Sequence, residues 1–141
     1  MENEIDAELA RIDHKIAPLD IVLVNTSDTT RFGQPDYLSK GCGMGRDATM
    51  HLLEQGVRLT GRDAWSWNAP FSLTGERYAE TQDPTLIWEG HRASMDIGYC
   101  HLEKLTNLDQ LPGSSRMVSC FPFKIKAASA GFTRAVAIFQ D

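Results

Sequence analysis

The feature that most constrains the fold is a helix-like segment between two short strand-like runs. The run DIVLVNT, residues 20–26, is almost continuously apolar and β-branched, which is typical of a parallel strand buried on both faces. The segment RDATMHLLEQGV, residues 46–57, predicts a helix that ends at Gly56. The run VRLTGRDA, residues 57–64, predicts a second strand. This order predicts a β-α-β unit and therefore an α/β fold.

Further predicted elements flank this unit within one domain. Apolar residues recur at helical spacing before Pro18 and predict a first helix; they are Ile5, Leu9, Ile12 and Ile16. A short helix is expected over residues 84–97, and two closing strands are expected in SRMVSCFPFKIK and TRAVAIF. The glycine-rich residues 27–45 and the aromatic residues 65–83 are expected to form loops. We therefore predict a single α/β domain over residues 1–141, with a mixed β-sheet and flanking helices.

The charge and the cysteine content exclude several classes of protein. A net charge of −5 and a pI near 5.3 argue against a nucleic-acid partner and against binding to an anionic membrane surface. Cys42, Cys100 and Cys120 show no CxxC spacing and no disulfide framework, which favours a reducing compartment. Cys100 and Cys120 are expected to be buried structural residues. The acidic N-terminus is unlike a signal peptide, and no apolar run approaches the roughly 20 residues of a membrane span. We expect a cytoplasmic protein.

The segment HRASMDIGYCHLEKLTNLDQL, residues 91–111, concentrates residues that can bind a metal ion. His91 and Glu103 would point about 120° apart on one continuous helix, but a break at Gly98 lets the segment fold back. His101 and Glu103 are two residues apart and share one face of a strand. Imidazole and carboxylate together suit zinc, manganese or iron(II). The alternative is that these are surface histidines and a solvated glutamate.

Several segments together resemble a known family. VLVNTSDTTRFGQPDYLSKGCGMG, LLEQGVRLTGRDAWSWNAPF, HRASMDIGYCHLEKLTNLDQLP and FKIKAASAGFTRAVAIF are similar to the C-terminal half of the cyclase-like metal-dependent hydrolases, which include bacterial kynurenine formamidase and isatin hydrolase. The resemblance implies the C-terminal portion of a swivelling β/β/α fold and a small amide or formamide substrate, as in arylformamidase chemistry and tryptophan catabolism. It also implies a divalent metal, zinc or manganese, bound by His91 and Glu103 as catalytic residues. His101 is a third candidate ligand.

The same resemblance implies a substrate cleft beside the second predicted strand. Asp63 lies at the carboxyl end of that strand, where α/β folds place their ligand sites. Trp65, Trp67 and Phe71 are expected to form an apolar wall for an aromatic substrate. The alternative is that these aromatic residues pack within the domain or at a subunit interface. Asn68 stands where the resemblance implies an acidic residue.

One motif of the family is expected before DIVLVNT and does not occur there. The motif H-x-G-T-H-x-D-x-P-x-H is absent from residues 1–20, in which His14 stands alone. A shortened product of a longer reading frame, a partner half on another polypeptide and a non-catalytic descendant are all consistent with this. We expect the isolated chain to be inactive or nearly so, or else to be a non-catalytic α/β association module that needs a partner. A homo-oligomer is expected in either case, because a shortened chain would expose apolar surface that the full-length fold would bury.

Overall fold

The computed structural model describes residues 2–114 and 117–139 of the chain. The helices are α1 (Glu2–Arg11), α2 (Arg46–Glu54), α3 (Phe71–Thr81) and α4 (Glu89–Arg92), and the strands are β1 (Ile21–Val24), β2 (Leu59–Arg62), β3 (Cys100–Leu102), β4 (Met117–Ser119) and β5 (Val136–Ile138). Short 3₁₀ helices lie at Asp28–Arg31, Pro84–Leu86, Ala93–Met95 and Leu108–Gln110. The predicted α/β class with flanking helices is confirmed.

Strands β1, β2 and β3 form a parallel sheet with β2 in the centre. Leu59 of β2 lies opposite Ile21 on one side and Cys100 on the other. Helix α2 lies between β1 and β2 in the chain, so the predicted β-α-β unit is confirmed. Strand β1 is half-buried rather than buried on both faces, because it is an edge strand with one neighbour. Strands β4 and β5 pair antiparallel in a second sheet. Parallel and antiparallel pairing therefore both occur, but in two separate sheets rather than in one mixed sheet.

The hydrophobic core joins α2 to the sheet and to the loops that flank it. Its buried members are Ile16, Met44, Ala48, Leu52, Val57 and Trp67. Parts of α1 and β1 pack against the same core through Ile5, Leu9, Val22 and Val24. The predicted inward face of α2 is confirmed, since Ala48, Leu52 and Leu53 are almost completely buried. The helix stops before Gly56, whose φ of +98° is strained for any residue with a β-carbon.

Three helical predictions differ from the structure. Helix α1 ends at Arg11, so Ile12 and Ile16 follow it rather than continue it. Residues 71–81, predicted as loop, form α3, in which no side chain is buried. The helix predicted over residues 84–97 is divided into α4 and two short 3₁₀ helices.

The chain from β4 to β5 is strongly exposed. The two closing strands are three residues long, shorter than predicted, and residues 115 and 116 of the first run lie outside the described residues. Phe121, Phe123 and Phe132 are exposed to 89%, 74% and 82%. The backbone N–H of Phe123 donates to the carbonyl of Phe132 at 2.9 Å, so a backbone hydrogen bond joins two of these residues. We call residues 117–139 the closing hairpin.

The prediction of buried cysteines is wrong. Cys100 is exposed and Cys120 is half-buried. Neighbouring strand residues alternate between faces, and in β3 it is His101 that turns toward the protein.

Among residues 2–114 and 117–139, no helix is long and apolar enough to cross a membrane.

Candidate metal centre

Three of the predicted residues come together where α4 meets the carboxyl end of β3. His91 lies in α4, His101 lies in β3, and Glu103 follows β3 directly. The chain turns back between α4 and β3, and β3 then pairs with β2, so that Thr60 lies opposite His101. Their candidate ligand atoms all lie within 4.8 Å of one another. The prediction that the break near Gly98 folds His91 toward Glu103 is confirmed.

Both imidazoles direct Nε2 at the same carboxylate oxygen. The distance from Nε2 to Oε1 of Glu103 is 3.3 Å for His101 and 3.7 Å for His91. The two rings meet edge to face, with their centres 4.5 Å apart. All three side chains are half-buried, so their donor atoms are partly screened from water.

Glu103 is held in its charged form by several donors. The backbone N–H of Trp67 donates to Oε1 at 2.9 Å, and Nζ of Lys104 donates to Oε2 at 3.1 Å. Burial acts to raise the pKa of Glu103, but His101, the Trp67 N–H and Lys104 outweigh it and hold the pKa at about 2. Glu103 is therefore a carboxylate at any physiological pH.

His91 is enclosed by an amide, an indole and the second imidazole. The side-chain amide of Asn68 contacts its Nδ1, and the ring of Trp88 lies 5.5 Å from the His91 ring. Burial lowers the pKa of His91, and the neighbouring His101 lowers it further, against the opposing effect of Glu103. His91 is therefore mostly neutral near pH 7, the form of histidine that binds metal ions.

His101 is positioned by aromatic neighbours. Its ring stacks on Trp67 with a centre-to-centre distance of 5.9 Å, and Tyr99 lies 5.7 Å away on a tilted plane. Trp67 is itself fixed, because its indole N–H donates to Oγ1 of Thr49 at 3.0 Å. A buried tryptophan anchored on α2 therefore sets the orientation of His101 and, through its backbone N–H, that of Glu103.

The donor set and its spacing fit a divalent cation. Ligand atoms of a tetrahedral zinc with bonds of about 2.0–2.1 Å lie roughly 3.3–3.4 Å apart, close to the Nε2–Oε1 distances of 3.3 and 3.7 Å. Two imidazoles and one carboxylate suit zinc and also manganese. Three protein ligands leave one position for water or substrate, as in catalytic zinc sites.

The predicted aromatic wall is divided between two places. Trp67 is fully buried in the core, whereas Trp65 is exposed and lies under the ammonium of Lys104, 4.3 Å from the ring centre. Phe71 is exposed and lies 6.3 Å from the ring of Trp88. Trp88, which was not predicted from the sequence, connects Phe71 to His91. Substrate contact by Trp65 and Phe71 stays a prediction, while Trp67 has no accessible surface in this structure.

Asp63 lies at the carboxyl end of β2, as predicted, but it is fully buried. Its carboxylate accepts from the backbone N–H and hydroxyl of Thr26 at 3.0 and 2.6 Å, and from the N–H of Thr29 at 3.3 Å. Burial acts to raise the pKa of Asp63, and these hydrogen bonds outweigh it, so the pKa lies below the ordinary value. Asp63 thus fastens the loop after β1 to the sheet, and it offers no surface to a substrate here.

Two residues of the site were not predicted from the sequence as part of it. Asn68 contacts His91 from a segment more than twenty residues earlier in the chain, and no spacing rule connects the two. Trp88 lies three residues before His91, and this helical spacing is a signal that could have been used.

Comparisons with known proteins extend over different parts of the chain. A family model described as "Putative cyclase" matches residues 1–69, which end before His91. A crystal structure of an isatin hydrolase bound to the product analogue thioisatinate is similar over 99% of this chain and 52% of that chain, with a TM-score of 0.78 and 21% sequence identity. This chain thus spans about half the length of that isatin hydrolase chain, at 52%. No curated protein matches.

Proposed function

We propose that this chain, whose cyclase-like family is supported by the family match and by the shared fold, provides part of a metal-dependent hydrolase of amide-type bonds. The observation that carries the proposal is the convergence of His91, His101 and Glu103 at one point. The substrate class that we propose is an aryl formamide or a cyclic amide. The metal that we propose is zinc or manganese.

The chain's own residues have separable roles in this proposal. His91 and His101 supply neutral nitrogen ligands, and Glu103 supplies a permanently charged oxygen ligand. A divalent ion bound there would polarise the scissile carbonyl and lower the pKa of bound water toward neutrality. The exposed rings of Trp88 and Phe71 form an apolar surface beside His91 that suits an aromatic substrate.

Hydrolysis assays with added zinc or manganese test the proposal, with an aryl formamide and a cyclic amide as substrates. We expect a slow rate that requires the metal, is removed by a chelator and is lost in Glu103→Gln. Glu54→Gln is the matched control, because Glu54 is exposed and lies in α2, away from the three ligands.

Three outcomes would contradict the proposal. The absence of a metal-dependent rate with both substrates would show that this chain does not carry the proposed activity. A rate that Glu103→Gln leaves unchanged would show that the chemistry takes place elsewhere. A turnover number in the ordinary enzyme range, about 1–10³ s⁻¹, would show instead that the chain alone is sufficient.

The exposed closing hairpin favours a second candidate function, association through a homo-oligomer. Phe121, Phe123 and Phe132 are each exposed to more than two thirds of their surface, and contiguous apolar surface is typical of an interface. A second copy of the chain presents the same rings and can cover them by two-fold symmetry.

Light scattering on the eluting peak of a size-exclusion column tests the association. We expect a dimer or larger oligomer for the wild-type chain and a monomer for the double variant Phe121→Ser/Phe132→Ser. Phe71→Ser, which changes an exposed ring outside the hairpin, is the control and should leave the mass unchanged. A monomeric wild-type chain would show that these rings do not form an interface between copies.

A further inference from the structure

The side chain of Asn68 lies between the first turn of α4 and the ring of His91. Asn68 is exposed to only 7%, so its amide finds its hydrogen-bond partners within the protein. One end of the amide faces the backbone N–H groups of Glu89 and Gly90 at 3.1 and 2.9 Å, and the other end contacts Nδ1 of His91 and lies 3.3 Å from the backbone N–H of His91.

The neighbours determine which end carries the oxygen. The N–H groups of Glu89 and Gly90 lie in the first turn of α4, where a helix offers them no internal acceptor. With the oxygen of Asn68 toward them, it accepts two hydrogen bonds and the amide nitrogen donates to Nδ1 of His91. The reverse orientation would let the oxygen accept from the backbone N–H of His91 at 3.3 Å, but it would set the amide N–H₂ against two closer N–H groups that can only donate.

The amide orientation fixes the proton on the imidazole of His91. An amide N–H₂ cannot accept, so Nδ1 accepts and carries no proton. A neutral imidazole has one proton, which must then lie on Nε2. Nε2 is also the nitrogen that faces Oε1 of Glu103 at 3.7 Å, where a cation would need its lone pair.

We propose that Asn68 holds His91 in the Nε2–H tautomer and thereby opposes the binding of a cation to that nitrogen. To ligate through Nε2, the ring must move its proton to Nδ1, and the Asn68 amide must turn over and lose its bonds from Glu89 and Gly90. A carboxylate at position 68 removes this conflict, because it accepts from both backbone N–H groups and from Nδ1–H together. The consequence for metal affinity rests on the metal site proposed above, whereas the tautomer does not.

The tautomer is read directly from the ring nitrogen shifts of the ¹⁵N-labelled, metal-free chain. At a pH about two units above the ordinary histidine pKa of about 6.5, we expect the proton of His91 on Nε2 in the wild type. His91→Gln assigns the signals. In Asn68→Asp we expect the proton on Nδ1.

Competition titration with a chromophoric chelator then measures zinc affinity. We expect Asn68→Asp to bind zinc at least about tenfold more tightly than the wild type, which is the usual size of such a supporting contact. Asn25→Asp adds the same charge at an exposed position outside the site, and it should leave the affinity unchanged.

Two results would overturn the proposal, and a third would separate the tautomer of His91 from the metal site. Wild-type His91 with its proton on Nδ1 would overturn it at once, even if Asn68→Asp fails to fold. An equal affinity in a folded Asn68→Asp chain would overturn the effect on metal binding. If neither chain binds zinc while the Nε2–H tautomer is observed, the metal site fails and the tautomer assignment stands.

Discussion

Two adjacent charged residues at the carboxyl end of β2 hold two different loops on the sheet. Arg62 is fully buried, and its guanidinium donates to the carbonyls of Trp67 and Cys42 at 3.1 and 3.0 Å. It also reaches the carboxylate of Asp28 at 3.3 Å, forming a buried ion pair. Asp63 accepts from the loop after β1. Apart from Nε of Arg62, which has no hydrogen-bond partner among the described residues, the charged groups of these two side chains are hydrogen-bonded within the protein, so we assign them to the architecture around the site.

Asp63→Asn should reduce the free energy of unfolding by about 1–3 kcal/mol at neutral pH, because an amide cannot accept at both former oxygen positions. The pKa of Asp63 is lowered in the folded chain, so its contribution is complete above the ordinary value of 3.8 and is lost as the pH falls below it. Urea unfolding between neutral and acid pH measures both effects. The variant should lose less stability on acidification than the wild type does.

Asp109→Asn, at an exposed position, is the control and should change neither the stability nor its pH dependence. Equal unfolding curves for Asp63→Asn and the wild type would show that the hydrogen bonds of Asp63 contribute nothing.

The sequence predicted the site residues that a short spacing connects. His101 and Glu103 share a strand face, and a break at a glycine was enough to bring His91 to them. Asn68 could not be predicted as part of this cluster, because its contact depends on how α4 packs against a distant loop. Asp63 was predicted at the correct strand end, but the sequence does not show which polar side chains a loop will bury.

Among the helices, α2, whose inward face is buried, was predicted, and α3, which buries no side chain, was missed. Helix α2 has a continuous inward face, and its bounds were predicted to within a few residues. Helix α3 has no buried residue, and its aromatic residues led to the prediction of a loop over residues 65–83. The glycine-rich loop was correctly predicted to be long, while its close approach to residues 67–69 depends on tertiary packing.

Two glycine substitutions should change stability in opposite directions. A β-carbon at Gly43 would overlap the backbone nitrogen of Ala69, so Gly43→Ala should destabilise the chain by about 1–3 kcal/mol. Gly75 lies in α3 with nothing within 4 Å of a β-carbon, so Gly75→Ala should stabilise it by about 0.5–1 kcal/mol. Thermal and urea unfolding measure both. A Gly43→Ala chain as stable as the wild type would contradict the close contact between the two loops.

At the scale of the whole molecule, the chain corresponds in fold to about half of the isatin hydrolase chain and carries one group of candidate ligands. The structural likeness covers 99% of this chain and 52% of the isatin hydrolase chain. The exposed phenylalanines of the closing hairpin are the surface that a second copy would cover in the homo-oligomer proposed above. The group of candidate ligands lies within this chain, and this accounts for the expectation of metal binding with slow hydrolysis.

The most direct test of the central claim is metal content by elemental analysis after equilibrium dialysis against zinc or manganese. We predict close to one ion per chain for the wild type, and its loss in His91→Ala. His14→Ala should retain the ion, because His14 contacts Asp20 and lies outside the ligand group. A wild-type chain without metal, or a His91→Ala chain with as much metal as the wild type, would contradict the account.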